Sequence, residues 1–258
     1  MGLIEVLTGA KRALPPGVFT DVGKVRKDNQ DSFFVSPSGR LFAVCDGMGG
    51  GQGGAEASAI ACRMLGEAEK RAGKKSFRET ARAIDESFTA INDEIRKTAF
   101  VRGYSMMGTT AVILLRDVEN PRQALVAHIG DSRAYRFREG RLELLTRDHT
   151  VEEELRNLER GKNPRLQACS RATPLSHVLT RCLGVDREVG ADWRRLDVEK
   201  GDRYILCSDG LHDMLDDETI AEIVDAGGSD AEIASRLGKA ALDAGGHDNV
   251  TLVVRGAE

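Results

Sequence analysis

Four aspartates share one local pattern, because each stands where an apolar segment meets one or more glycines. They are Asp46, Asp131, Asp209 and Asp248. A single aspartate in such a place is typical of a turn or a cap. Four converging strand ends would instead gather four carboxylates, whose mutual repulsion requires cations. Hard oxygen ligands suit Mg²⁺ or Mn²⁺, and the lack of His and Cys at metal-ligand spacing argues against zinc.

A glycine-dense loop, residues 47–54, follows the first of these aspartates. Gly49, Gly51 and Gly54 fit a GxGxxG pattern, which alone is weak evidence for nucleotide binding. No Gly-Lys-Ser/Thr follows, so a nucleotide P-loop is not supported. Glycine still permits close approach of the backbone to a ligand, because it has no Cβ.

Hydrophobic periodicity and turn residues predict the elements that must hold these acids. Strands are predicted at residues 18–22, 31–35, 40–45, 110–115, 124–129, 133–137, 141–145, 203–207 and 249–255. Helices are predicted at residues 55–70, from 76 to about 95, 150–159, 217–226 and 230–243, and capping boxes open three of them, at Ser76–Glu79, Thr150–Glu153 and Ser229–Glu232. Strands outnumber helices and come in hairpins. We therefore expect an α+β fold of antiparallel sheets with helices on their outer faces.

Length and composition fit a folded soluble protein and exclude several function classes. The 258 residues are 41% hydrophobic and 30% charged, with a net charge of −4, so broad nucleic-acid binding is not expected. No apolar run approaches the ~20 residues of a membrane span, and the start does not read as a signal peptide. Five cysteines without CxxC spacing favour free thiols and a reducing, cytoplasmic location. Residues 1–16 read as an N-terminal extension and residues 17–258 as one domain.

Seven motifs in order resemble the type 2C, metal-dependent family of Ser/Thr protein phosphatases, in its compact bacterial form. They span residues 23–33, 46–50, 107–111, 130–133, 145–149, 207–211 and 248–251. Each motif is modest alone, but the ordered set is highly specific. The resemblance implies a four-layer α-β-β-α sandwich, in which two antiparallel sheets are flanked by helix pairs, with a flap near residues 155–178.

The resemblance also implies a set of metal ligands. Asp46 would bridge two Mn²⁺ or Mg²⁺ ions, and the Gly47 carbonyl would bind one of them. Asp209 and Asp248 would hold the other ion, and Asp31 would act mostly through a water. Asp131 would contribute to a weaker third site.

The chemistry implied by the resemblance is hydrolysis of phosphoserine and phosphothreonine in proteins. Asp46 and Asp209 would hold the ions that activate water, and Arg26 would clamp the substrate phosphate through its planar fork. The expected partners are phosphorylated proteins, including a Ser/Thr kinase whose signalling is reversed, and a monomer is expected. The alternatives are a catalytically inactive binding module, which predicts missing metal aspartates, and a two-metal small-molecule phosphoesterase.

Two residues depart from the family pattern. Gln30 stands where Glu often precedes the first aspartate, and Met48 stands where many eukaryotic members have a histidine that is thought to donate the leaving-group proton. The general acid is therefore unassigned. His149 and His247 lie within matching motifs and are expected to be structural. The basic segment 156–171 is expected to be a solvated loop, with recognition of acidic phosphopeptides as the alternative.

Overall fold

The computed structural model describes residues 15–49, 52–73, 75–159 and 178–257. Within them the strands are β1 (Gly17–Asp21), β2 (Asp31–Val35), β3 (Leu41–Met48), β4 (Gly108–Thr109), β5 (Ala111–Arg116), β6 (Gln123–Ile129), β7 (Arg133–Arg138), β8 (Arg141–Leu144), β9 (Asp192–Asp197), β10 (Arg203–Cys207) and β11 (Val250–Gly256). The helices are α1 (Gln52–Ala72), α2 (Phe77–Arg102), α3 (Val151–Glu159), α4 (Asp209–His212), α5 (Asp217–Asp225) and α6 (Asp230–Asp243).

Two sheets contain these strands. One has the order β1-β11-β10-β7-β8, and the other has the order β2-β3-β5-β6-β9, with β4 paired to the end of β3. Every strand pair is antiparallel. The predicted hairpin around residues 36–39 joins β2 to β3 and places Asp31 directly opposite Asp46.

Strand β3 shows how the layers stack. Leu41, Ala43 and Cys45 pack with the apolar residues of α1 and α2, whereas Phe42 and Val44 join the apolar cluster between the two sheets. Successive side chains of a strand point to opposite faces, so both faces of this sheet are buried. A third cluster lies between the other sheet and α4, α5 and α6. The four-layer α-β-β-α sandwich is thereby confirmed.

Local signals place the helices well. Ser76 and Glu79 form a reciprocal capping box at the start of α2, as do Ser229 and Glu232 at the start of α6. At Thr150 only one of the two capping-box hydrogen bonds forms. The Thr150 hydroxyl accepts the Glu153 N–H at 3.3 Å, whereas the Glu153 carboxylate pairs with Arg147 at 3.1 Å.

The structure departs from the sequence-based expectation at two helix boundaries and at one strand. Helix α1 begins at Gln52, inside the glycine loop, and its Gly54 packs closely on Gly47: a Cβ on Gly54 would lie 2.7 Å from the Gly47 carbonyl oxygen. Helix α2 continues to Arg102 and ends at Gly103, which has the left-handed φ of 71° that favours glycine. Strand β9 was not predicted, because among its residues only Leu196 is fully buried and no apolar alternation marks it.

Some of the remaining expectations concern residues that lie outside the described ranges. Cys45, Cys62, Cys182 and Cys207 are free and buried, as expected, whereas Cys169 lies outside the described residues. The described part of the proposed flap ends with α3 and resumes at Val178. Residues 1–14 of the predicted extension also lie outside it. Among the helices that the structure describes, none has the length and apolarity required to cross a bilayer.

Candidate metal centre

The strand ends that carry the predicted acids converge on one cavity of about 600 Å³. Four of the predicted aspartates line it, together with Gly47 and Arg26: Asp46, Asp131, Asp209 and Asp248. Asp31 is the exception, since it is not among the lining residues. Its carboxylate lies behind the cavity and accepts a hydrogen bond from the Ser208 hydroxyl at 2.7 Å. That bond joins residues 177 positions apart, next to Asp209.

The backbone of Asp46 is held by hydrogen bonds to Thr110. Its N–H donates to the Thr110 hydroxyl at 3.0 Å, and its carbonyl accepts the Thr110 N–H at 2.8 Å. The Thr110 hydroxyl also lies 2.6 Å from that of Ser132. The backbone of β3 is therefore fixed at the point where the carboxylate enters the cavity. Sequence reasoning placed Thr110 in a motif without giving it a role.

The two glycines at the end of β3 permit a close approach of backbone to backbone. A Cβ on Gly47 would lie 2.1 Å from the Gly54 carbonyl oxygen and 2.5 Å from that of Gln30. These are backbone atoms, which cannot move aside as the end of a side chain can. Gly49 has a φ of 136°, and a Cβ on it would lie 2.4 Å from the Met106 carbonyl oxygen. The described glycines of this loop therefore allow close backbone packing around Asp46.

Asn249 connects the other side of the site. Its Oδ1 accepts the Gln30 N–H at 2.8 Å, and its Nδ2 donates to the carbonyls of Val22 and Asp28 at 2.9 and 3.0 Å. These bonds hold residues 22–30 against the start of β11. Within this segment, the Arg26 guanidinium lies 2.6 Å from the Asp248 carboxylate. Sequence reasoning gave Asn249 no role, although it adjoins Asp248.

Burial and mutual repulsion make this a site of unsatisfied negative charge. Burial raises the pKa of Asp131 to about 7, and repulsion from Asp209 adds to it. Burial also raises the pKa of Asp31 to about 7, although hydrogen bonds from Ser208 and Thr251 oppose the rise. Burial and then repulsion from Asp209 raise the pKa of Asp46 well above its ordinary value, and burial raises the pKa of Asp209. Without cations these groups favour protonation.

The donor atoms fit divalent cations. Asp31 Oδ1 and Asp209 Oδ1 are buried without a hydrogen-bond partner in the protein, which is costly for carboxylates unless a cation or water meets them. The lining donors are carboxylate and carbonyl oxygens, the ligands that Mg²⁺ and Mn²⁺ prefer. The residues present are therefore suited to hold such ions.

A second cluster of potential ligands lies beside the site. Ligand atoms of His128, His149 and Asp192 lie within 4.8 Å of one another, and the two imidazoles are stacked with centroids 4.5 Å apart. Hydrogen bonds already use these atoms: His149 Nδ1 accepts the Gly130 N–H, His149 Nε2 meets Asp192, and Asp192 is paired with Arg181 at 2.8 Å. These contacts form a chain of hydrogen bonds that fixes the position of the His149 ring.

The fold and this acidic cavity point to one class, and comparison with known proteins agrees. Residues 23–240 match the family model for protein phosphatase 2C. The chain therefore belongs to the protein phosphatase 2C family.

Two curated relatives and one solved structure give the degree of similarity. The serine/threonine protein phosphatase PstP of Mycobacterium tuberculosis is 36% identical over 91% of this chain and 43% of its own length. The protein phosphatase PhpP of Streptococcus pneumoniae is 33% identical over 92% of this chain and 95% of its own. A solved catalytic domain of PstP, in complex with two manganese ions, is 33% identical with a TM-score of 0.78, covering 93% of this chain and 96% of that one. The chain thus spans less than half of the curated PstP.

Proposed function

We propose that this protein hydrolyses phosphoserine and phosphothreonine in proteins, with two Mn²⁺ or Mg²⁺ ions held in the acidic cavity. The observation that carries the proposal is the convergence of four carboxylates, with Arg26 at their edge. The similarity to named Ser/Thr protein phosphatases, and to a PstP structure with two manganese ions, supports it. In this role the protein reverses signalling by a Ser/Thr kinase.

The residues of the ligand set that we propose have different roles. Asp46, Asp209, Asp248 and the Gly47 carbonyl hold the core pair of ions. Asp31 lies behind them and acts through a water, while Asp131 belongs to a weaker third site. When bound, the ions supply the Lewis acidity that activates water and neutralises charge on the phosphoryl oxygens.

The chain's own residues bind and orient the substrate. Arg26 is 57% exposed in its side chain and contacts Asp248 through one terminal nitrogen, so other N–H groups of its fork remain to grip a phosphate. Thr110 and Asn249 keep Asp46 and Arg26 in place.

Among the described residues that line the cavity there is no histidine. Met48 lies there instead and carries no dissociable proton, so the residue at the position of the histidine in many eukaryotic members supplies no general acid here. Cys182 also lines the cavity, but burial raises the pKa of its thiol to about 12, which keeps it protonated and a poor nucleophile. A direct attack by water, without a covalent enzyme intermediate, is the reaction that this lining supports.

The deciding experiment is hydrolysis of a phosphothreonine peptide with Mn²⁺ and with a chelator. We expect turnover only with the metal, and losses of a hundredfold or more in Asp46→Asn and Asp209→Asn. Asp93→Asn, a change at an exposed position of α2, is the matched control and should keep normal turnover. Hydrolysis that persists under chelation, or no hydrolysis at all, contradicts the proposal, the second outcome being that of an inactive binding module.

Three further expectations belong to the same proposal. The substrates include a Ser/Thr kinase, the protein is a monomer, and it works in the cytoplasm, where its buried free thiols remain reduced. A substrate-trapping experiment with Asp46→Asn, followed by identification of the retained phosphoproteins, tests the first of them.

A further inference from the structure

The cavity has a second wall that the acidic chemistry does not use. Beside the carboxylates, the lining of the same cavity includes side chains of a different kind: Met48, Met106, Val178, Leu179, Cys182 and Val185. Three of these are exposed to an unusual degree for large apolar groups, with 51% exposure for Met106, 51% for Val185 and 44% for Val178. Single exposed apolar residues are ordinary, but several around one cleft mark a binding surface.

The central part of this surface is contiguous, and we call Met48, Met106 and Val185 the apolar wall. A Cβ built on Gly108 would lie 3.2 Å from Val185 Cγ2 and 3.4 Å from Met48 Cγ, so those two side chains flank Gly108. The Met106 carbonyl lies against Gly49, the residue after Met48.

The backbone beneath the wall is fixed by hydrogen bonds. Met48 pairs with Gly108 in the β3–β4 ladder. Thr109 and Leu183 exchange two backbone hydrogen bonds, at 3.0 and 2.9 Å, which anchor the segment that leads to Val185. The wall is therefore preformed in its backbone, while the two methionines can adapt their side chains to different partners.

A polar alternative is less well supported by the described residues. Of the basic residues predicted between 156 and 171, the structure describes Arg156. Its guanidinium is engaged by Glu152 and Glu153 on its own helix.

We propose that the apolar wall binds an apolar side chain adjacent to the phosphorylated residue, so that the protein prefers phosphopeptides with bulky aliphatic neighbours. The inference rests on the proposed function. Because the apolar wall lines the same cavity as the carboxylates, a peptide whose phosphate lies at the carboxylates brings its neighbouring residues, which advance about 3.3 Å each when extended, within reach of the wall. Burial of an aliphatic side chain there removes apolar surface from water on both partners.

The test compares two phosphothreonine peptides that differ only at the residues directly before and after the phosphothreonine, with Leu in one and Ser in the other. We expect the unmodified protein to favour the Leu peptide by about tenfold in kcat/KM, the scale expected for one apolar side chain. Met106→Gln with Val185→Thr should reduce that ratio to within about twofold. Val118→Thr, a change at a valine of equal exposure outside the cavity, should leave it unaltered.

The outcomes distinguish a failure of the apolar wall from a failure of the proposed function. An equal kcat/KM for both peptides in the unmodified protein, or a preference that survives the double variant, contradicts the apolar wall as a specificity surface. An equal loss on both peptides in the double variant also contradicts it and indicates a structural role. Hydrolysis of the Ser peptide by the unmodified protein tests the proposed function alone. A failure of the proposed function can therefore be distinguished from a failure of the apolar wall.

Discussion

His149 holds Gly130 at two points. Its ring Nδ1 accepts the Gly130 N–H at 3.1 Å, and its own backbone N–H donates to the Gly130 carbonyl at 3.0 Å. Gly130 precedes Asp131 in the cavity, and its φ of 99° is a conformation that favours glycine. His149 thus fixes the turn that presents Asp131, without lining the cavity itself.

We expect His149→Gln to slow turnover of a phosphothreonine peptide by less than tenfold, because the ring positions a turn and does not touch substrate. The free energy of unfolding should fall by about 1–3 kcal/mol, since the Gly130 N–H loses its buried acceptor. His247→Gln, at an exposed position, is the comparison and should also slow turnover less than tenfold. A thousandfold loss from either would identify the missing general acid.

The same histidine should make stability depend on pH. Burial, with the neighbouring His128, lowers the pKa of His149 to about 4 from an ordinary value of 6.5. Between these values the unfolded imidazole binds a proton that the folded one does not, so the contribution of His149 to stability is full above about pH 6.5 and is lost as pH falls towards 4. Urea midpoints at pH 5 and pH 7 measure this. His149→Gln should keep more of its pH 7 midpoint at pH 5 than the unmodified protein does, and an equal change in both proteins would count against this role.

Removal of one buried charge should stabilise the metal-free protein. Burial and repulsion from Asp209 both disfavour the ionised Asp46 carboxylate in the folded protein, and Asp46→Asn removes that cost, so we expect the free energy of unfolding under chelation to rise by about 1–2 kcal/mol. Thermal unfolding with a chelator and with Mn²⁺ measures it. The unmodified protein should gain more from Mn²⁺ than the variant, and an equal gain would place the ions elsewhere.

Arg26 should act on substrate binding more than on the fold. Arg26→Ala should reduce kcat/KM for a phosphothreonine peptide by about tenfold to a hundredfold, and Arg26→Lys should recover only part of it, because an ammonium lacks the planar fork. Steady-state kinetics of both variants measure this. Lys27→Ala, at the exposed neighbouring position, is the matched control and should show normal kinetics. Full recovery in Arg26→Lys would mean that charge alone suffices.

Gly47 should not accept even a methyl group. The Cβ of Gly47→Ala would overlap the backbone carbonyls of Gly54 and Gln30, so we expect a loss of about 2 kcal/mol or more in stability and a marked loss of Mn²⁺ affinity. Calorimetry of Mn²⁺ binding and urea unfolding measure the two effects. Gly190→Ala is the control, because a Cβ there meets nothing within 4 Å. Normal Mn²⁺ binding by Gly47→Ala would remove Gly47 from the site.

The sequence by itself determined the local elements and the family. Apolar periodicity and turn residues located most strands and helices, because burial and turn geometry leave local marks in the sequence, and two capping boxes form as predicted. Ordered motifs identified the class of protein, which the family match confirms. The repeated aspartate and glycine pattern also selected the acids that line the cavity.

Only the tertiary structure decided what surrounds those acids. Strand β9 is an edge strand with mostly exposed residues, so it left no periodic signal. The bond from Ser208 to Asp31, the hold of Thr110 on Asp46 and the apolar wall all join residues that are distant in the chain. Their relative positions depend on how the two sheets pack and on the register of their strands. Local pattern reports which side chains are buried, but it carries no information about which distant side chain they meet.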